Sequence, residues 1–344
     1  MRLTGKLILY FLFIPRLLPA QAGDSVKLIK SGEEKQIDVY IGSKLFTRFI
    51  YPDSLEKPVL FPIYDAANVP VTRGFPKDPR PGDPTDHPHH LGLWLTYENV
   101  NGLDFWNNSY AIPTEKKSMY GWIKTDRILE MSDGKTGKLT YHANWVNQQN
   151  EILISETTHF EFSGSANKRI IDRVTELKAV KDITFTDAKD GFLGLRLTHE
   201  LEIPGGQSFN YTDNKGNSTE VKKDPTATGN YVTSEGKLGD SVWSTRAAWC
   251  KVYGKIGDDS VSITIFDHPA NIGYPTFWHA RGYGLFAANP LGEKIFTKGK
   301  SELNYKLKKD GIIIFRYRIL IQNGDSTPTA DELNLEFKSF SRKN

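Results

Sequence analysis

The sequence predicts an all-β protein: one large antiparallel β-sandwich with a single C-terminal helix. Three observations support this. Short runs rich in Val, Ile, Phe, Tyr and Thr recur along the chain, separated by Gly, Pro, Asn and Asp. One stretch near the C-terminus repeats its apolar residues at helical spacing. No internal repeat, low-complexity tract or clear linker divides the chain. The 344 residues therefore read as a leader, 1–22, and one domain, 23–344. Many strands with almost no helix favour packed sheets. Two β-domains broken within 205–240 are the alternative.

Residues 1–22 have the three parts of a secretory signal peptide. Arg2 and Lys6 make a basic start, Leu7 to Ile14 is an apolar run too short to span a bilayer, and Ala20-Gln21-Ala22 is a cleavage signature. An uncleaved anchor is the other reading, but no stop-transfer pattern follows. The expected location is periplasmic or secreted, with no integral membrane segment in the mature chain. Loss of the leader removes Arg2, Lys6 and Arg16 from 44 basic residues and nothing from 41 acidic ones, so the mature chain is close to neutral. That balance gives no footing for a nucleic-acid partner or an anionic membrane surface. Cys250 is the only cysteine, so the core must hold the domain without an internal disulfide.

Along the domain, Gln36 to Tyr40 and Leu45 to Tyr51 flank Gly42-Ser43 as a hairpin. Val59 to Tyr64 reads as a strand, and the Pro-, Gly- and Asp-rich residues Pro70 to Thr85 as a long loop. Further strands are expected at Tyr120 to Lys124, Lys138 to Val146, Glu151 to Phe162, Arg169 to Leu177, Lys181 to Asp187 and Gly194 to Ile203. Gly205 to Asp240 lacks periodicity and reads as a surface excursion. Val242 to Tyr253, Ser260 to Asp267, Gly284 to Ala288 and a hairpin from Leu303 to Ile321 complete the set. Thr329 with Glu332 forms a capping box, and Leu333, Phe337 and Phe340 then mark one helical face.

Two stretches concentrate residues that do chemistry. Asp86-His87-Pro88-His89-His90 holds three of the eight histidines, and Pro88 places it in a loop or at a sheet edge. Neutral imidazole can serve as acid, base or metal ligand near pH 7. The spacing matches no standard zinc site, so a metal would need His87 and His89 joined by a distant residue such as His279. The second stretch carries Asp267, His268, Asn271, Trp278, His279, Arg281 and Tyr283 among turn-forming glycines and prolines. Between them, Trp94, Tyr97, Phe105 and Trp106 alternate with Glu98, Asn101, Asp104 and Asn107. Rings beside amides and carboxylates suit a sugar, whose C–H faces stack while its hydroxyls need fixed partners, but the same rings could equally be packed inward. Arg196 offers a fork for carboxylate recognition, whereas His199 sits on an apolar face. Glu156, His159 and Glu161 read as a solvated strand face.

Several motifs together resemble the PmoA-like family. They are His87-Pro88-His89-His90 with Gly92-Leu93-Trp94, Asn101-Gly102-Leu103-Asp104-Phe105-Trp106, Ser234-Glu235-Gly236, Arg246-Ala247-Ala248-Trp249, Phe266-Asp267-His268-Pro269, Trp278-His279-Ala280-Arg281 and Gly284-Leu285-Phe286-Ala287-Ala288-Asn289-Pro290. The resemblance runs from about Phe61 to Asp325. Leu91 stands where members often carry a basic residue, which argues against a phosphate or carboxylate contact at that point. The resemblance implies a galactose-mutarotase-like β-supersandwich, a superfamily of sugar epimerases, polysaccharide lyases, glycoside hydrolases and non-catalytic sugar binders.

The expected function is an exported carbohydrate-active enzyme whose two His-rich segments meet in one pocket. His89 or His90 would be general acid or base, opposed by Asp267 or His279. Arg196, Arg246 and Arg281 would hold a carboxylate or hydroxyl-rich part of the substrate, and Trp94, Trp106 and Trp278 would stack on its rings. His87, Asp104 and His268 complete the substrate-binding set. No cofactor is required. A non-catalytic glycan-binding protein and a metal-dependent site at His87, His89 and His279 are the alternatives.

Overall fold

A computed structural model describes residues 24–32, 35–205, 209–212, 218–221, 225–324 and 327–343. The expected leader lies outside them. Twenty strands are described: β1 (Val26–Ser31), β2 (Gln36–Ile41), β3 (Lys44–Ile50), β4 (Val59–Ile63), β5 (Leu93–Tyr97), β6 (Trp122–Ser132), β7 (Gly137–Val146), β8 (Ile152–Ser165), β9 (Lys168–Ala179), β10 (Ile183–Phe185), β11 (Gly191–Arg196), β12 (Phe209–Thr212), β13 (Ser218–Val221), β14 (Asn230–Thr233), β15 (Trp249–Ile256), β16 (Asp259–Asp267), β17 (Phe277–Arg281), β18 (Leu285–Asn289), β19 (Tyr305–Leu307) and β20 (Ile312–Asn323). Two helices join them, α1 (Glu293–Phe296) and α2 (Ala330–Phe340).

Sixteen of the strands form two eight-stranded sheets with antiparallel neighbours, in the orders β1-β2-β3-β4-β5-β11-β18-β17 and β14-β15-β16-β20-β9-β8-β7-β6, and the other four form two pairs, β10-β19 and β12-β13. The predicted all-β sandwich is what forms. Inward residues of both sheets share one core, which includes Leu93, Leu95, Leu193, Phe286 and Ala288 from the first sheet and Phe160, Ile171, Ile263 and Phe315 from the second. Phe192 of β11 and Phe315 of β20 meet across the sandwich with ring centroids 4.2 Å apart. The helix α2 has the expected capping box at Thr329 and Glu332. Its Leu333 and Phe340 cover Trp249, Phe266 and Leu320 on the outer face of the second sheet.

The first sheet is buried on its outer face too. A second cluster of Ile50, Val59, Phe61, Leu91, Trp94, Trp106, Tyr283, Leu285 and Ala287 lies there, under the loops that follow β4 and β5. The strands β4, β5, β11 and β18 are consequently buried at every position. Two-sided burial erases the alternation that marks a half-exposed strand. It accounts for two elements the periodicity did not reveal, β5 and β17.

Other boundaries differ for local reasons. The strand expected from Gly194 to Ile203 ends at Arg196, and His199–Leu201 makes a 3-10 turn. The stretch 205–240 is more than a surface excursion: its described part holds the hairpin β12–β13 and the sheet-edge strand β14, with Tyr231 fully buried. β19 pairs with β10 rather than forming a hairpin with β20. Glu156, expected on a solvated face, points between the sheets. Tyr141, Trp145 and Thr158 each donate to its carboxylate at 2.7 Å, and Arg173 pairs with it at 3.3 Å.

Because Phe315 is fully buried at the junction of the two sheets, Phe315→Ala should cost about 3–5 kcal/mol. Equilibrium urea unfolding measures this. A cost under about 1 kcal/mol would mean that the two sheets do not depend on this contact.

Candidate functional site

The early histidine segment is a tight loop on the outer face of the first sheet, held by buried charge. His90 N donates to His87 O at 2.9 Å, and His87 takes a positive φ of 45°, which is strained for a residue with a side chain. Arg73 is the template for this shape. Its Nη1 donates to the Asp86 carbonyl at 2.7 Å, and its Nη2 donates to the carbonyls of His87 at 2.9 Å and His90 at 3.1 Å. Arg73 and Arg196 also reach the same carboxylate oxygen of Asp86, at 3.1 and 2.9 Å, and all three side chains are fully buried.

This clamp sets the protonation of the cluster. Burial would raise the Asp86 carboxyl, but Arg196, the hydrogen bond from His87 and Arg73 together hold it far below the usual carboxylate range. An ionised Asp86 can only accept, so His87 donates from Nδ1 and its acid–base chemistry falls to Nε2. Arg196 can only donate, so at 3.4 Å it assigns His90 Nδ1 as acceptor and puts the proton on Nε2. Burial lowers the proton affinity of His87, and that of His89 and His90 still further, so all three are neutral at pH 7. The His87 and His90 rings are parallel, 4.8 Å apart, and Tyr283 stacks on His87 at 5.4 Å. An extended strand would have pointed His87 and His90 to opposite faces; the turn puts them on one.

The sheet register brings the distant segment to this face. Trp94, Gly194, Ala287 and His279 lie in one row across β5, β11, β18 and β17. Arg196, Leu285 and Arg281 form the neighbouring row, one strand repeat away. Both rows face the loop that carries the histidines. A Cβ at Gly194 would fall 2.5 Å from Trp94 and 2.7 Å from Trp106, so only glycine lets these rings pass over the sheet. His279 is buried, and its Nδ1 is 3.7 Å from Asp190.

Asp190 and Glu98 form a carboxyl pair at this end of the sheet. Asp190 N donates to Glu98 at 3.0 Å. Burial, then the charges of Asp190 and Asp104, push Glu98 up to about 8. Burial raises Asp190 as well, against the pull of Lys189. The pair therefore keeps a proton near neutrality. Lys57 stands on the other side of the aromatic wall, where burial brings it down to about 8; it donates to the Trp106 carbonyl at 3.1 Å and lies 5.5 Å from the Trp94 ring centre.

Several expected site residues are used elsewhere. The chain leaves the second sheet at Asp267 and enters the first at Phe277, and this crossing splits a stretch that looked continuous. Asp267 accepts from Asn271 at 2.7 Å and from the Thr276 amide at 2.8 Å; burial raises it to about 7, but its bonds pin the crossing. His268 accepts from Ala270 N at 3.1 Å and packs on Phe340 of α2. Arg246 donates to the carbonyls of Gly273 and Pro275, pairs with Glu293 and covers Phe277. Trp278 faces the inner core and donates to the Ala247 carbonyl. Trp94 and Trp106 belong to the outer cluster, but both are fully covered, so they form its floor and not an open stacking surface. Asp104 accepts from the amides of Trp106 and Asn107 and from the Asn107 side chain, all at 2.9 Å, and so shapes its own loop.

Arg73, Lys57 and Asp190 went unnoticed in the sequence. Each is a single charged residue outside any pattern, and only burial distinguishes it. Among the described residues, no group of three His, Cys, Asp or Glu side chains is arranged to hold a metal ion, and no helix is long and apolar enough to cross a membrane. A cavity of about 490 Å³ lies on the outer face of the second sheet, lined by residues including Glu130, Lys138, His159, Asp172, Arg316 and Lys343. None of the predicted site residues lines it.

Residues 36–337 match the model of a family of unknown function, DUF6807. The protein belongs to the DUF6807 family. Nothing in these matches supports the PmoA-like resemblance. No match is found among curated proteins. Among solved structures, this DUF6807 chain is similar to a galactose mutarotase-like protein from Clostridium acetobutylicum, with 11% identity, a TM-score of 0.41 and coverage of 87% of this chain and 98% of that one. It is also similar to the GH36 α-galactosidase AgaB from Geobacillus stearothermophilus, with 10% identity, a TM-score of 0.40 and coverage of 87% and 41%. An α-galactosidase from Lactobacillus brevis gives 8% identity, a TM-score of 0.39 and coverage of 92% and 41%. The chain thus spans about two fifths of the α-galactosidases' length. Likenesses this distant bear on neither substrate nor reaction.

Two outcomes test the electrostatics. Asp86→Asn leaves Arg73 and Arg196 without their shared carboxylate and should cost about 3–5 kcal/mol in urea unfolding. Glu98 binds its proton more tightly folded than unfolded, against a usual value of 4.5. Its stabilising contribution is full below that value and is lost as pH rises through about 8. Glu98→Gln should therefore gain melting temperature relative to wild type between pH 5 and pH 9. A constant difference across that range would mean that Glu98 does not hold a proton in the fold.

Proposed function

We propose that this DUF6807 protein is an exported carbohydrate-active enzyme that moves protons at a sugar ring on the outer face of its first sheet. One observation carries the reading: a histidine positioned by a doubly clamped carboxylate and a buried carboxyl pair of raised proton affinity sit on the same sheet, with His279 of the row facing the histidine loop beside Asp190. His87 Nε2 is the base. Neutral because it is buried, it accepts a proton from the substrate, and Asp86 stabilises the imidazolium that forms. The Glu98–Asp190 pair is the acid and returns a proton to an oxygen of the substrate. Two groups whose surroundings push their proton affinities in opposite directions form such a pair. His279 joins them from the opposite wall. His89 is half-buried at the rim, with a buried Nε2 that has no hydrogen-bond partner among the described residues, and is placed to meet a hydroxyl.

The expectation that His89 or His90 acts as the base shifts to His87, because only His87 is oriented by a carboxylate. The expectation of Asp267 as its opponent shifts to Glu98 and Asp190. A mixture of rings and fixed polar groups is what a sugar requires.

Mass spectrometry of plant and algal oligosaccharides incubated with the purified protein tests this. A product with added water, an unsaturated product or an epimer is expected, and His87→Gln and Glu98→Gln should each lower turnover by about 10²- to 10⁴-fold. Saturable binding with no product would replace the enzyme with a glycan-binding protein.

A further inference from the structure

Other arginines near the site have carboxylate partners: Asp86 serves the buried Arg73 and Arg196, and Glu293 serves the half-buried Arg246. Arg281 differs. Among the described residues no carboxylate pairs with it, although it lies in the row that faces the histidine loop. Its guanidinium centre is 5.5 Å from the Trp243 ring centre and 5.9 Å from that of Tyr283, the ring that also stacks on His87. Two further polar atoms near it have no hydrogen-bond partner among the described residues: the buried indole Nε1 of Trp243 and the buried Nδ1 of His279, which only approaches Asp190 at 3.7 Å. Phe296 connects them, with ring centroids 5.9 Å from Trp243 and 6.1 Å from His279. Buried polar groups in folded proteins are rarely left without partners, and a place where several converge suggests a group supplied from outside.

A guanidinium laid against ring faces presents its N–H edge in one plane. That edge matches a carboxylate with two parallel hydrogen bonds. The Trp243 N–H adds a third donor of the same polarity. We propose that Arg281, with Trp243, receives a carboxylate of the substrate, so that the saccharide handled at this site bears a uronic acid. The proposal rests on the carbohydrate reading above and names its substrate class. It also has a chemical consequence for the base. Pairing a carboxylate with a guanidinium cancels its negative charge and makes the neighbouring C–H bond more acidic, and that proton is one a neutral imidazole can take.

The test is titration of the wild-type protein, followed by intrinsic tryptophan fluorescence and calorimetry, with trimers of galacturonate, glucuronate and mannuronate and with the methyl ester of each. A galactose trimer carrying sulfate esters is the competing anion. At least one uronate trimer should bind more tightly than its ester, by about 10- to 100-fold, the worth of one charge-assisted pair. Arg281→Gln should abolish that preference while leaving ester binding in place, and Arg281→Lys should restore part of it. Acid and ester binding equally well to wild type would overturn the Arg281 assignment and leave the carbohydrate reading standing. So would a preference that survives in Arg281→Gln, or tight binding of the sulfated trimer alone. Failure of every trimer, acid, ester and sulfated, would overturn both.

Discussion

The arrangement around Asp86 is the constraint on which the site depends. Two guanidiniums converge on one carboxylate in a place with no solvent, which is a costly way to build a loop unless every charge is answered. Here each is answered by geometry. Arg73 gathers the backbone carbonyls of Asp86, His87 and His90, and Arg196 joins the same carboxylate from β11. This network holds His87 in a left-handed backbone conformation and assigns tautomers to two imidazoles. The charges in the loop therefore do little for an apolar core. They select one conformation from the many that a Pro- and Gly-rich segment could adopt.

The sheet beneath supplies the second requirement, nearness. Residues separated by almost two hundred positions, Trp94 and His279, become members of one row because β5, β11, β18 and β17 are laid side by side in antiparallel register. Gly194 keeps the middle of that row low, so two indoles can lie over it. The outer aromatic cluster then excludes water from the histidines. That exclusion lowers the proton affinity of His87, His89, His90 and His279, and the same dryness raises Glu98 and Asp190. One desolvated face thus moves bases and acids in opposite directions and brings both toward neutrality in charge.

Much of the fold was readable where strands face water on one side. The long strands β7, β8 and β9 alternate, and they were located to within a few residues. The capping box at Thr329 marked α2 because its residues are local in sequence. Reading failed where burial is two-sided, as in β5 and β17, and where a strand lies in a polar stretch, as in β14. The candidate site was half legible. The density of His, Trp and Arg pointed to the histidine loop, His279 and Arg281, which the proposed site uses. It also drew in Asp267, His268 and Arg246, whose side chains pin a crossing between sheets.

What composition and order settle for this chain is local chemistry: β-rich segments, a capped terminal helix, and a loop with three histidines next to a carboxylate. These follow from side-chain shape and from hydrogen bonds within a few residues. Which histidine is oriented, which carboxyl group keeps a proton and which arginine has no carboxylate partner among the described residues are decided only in three dimensions. Desolvation and charge pairing depend on neighbours that arrive from strands far apart in the chain, and no spacing along a sequence encodes them.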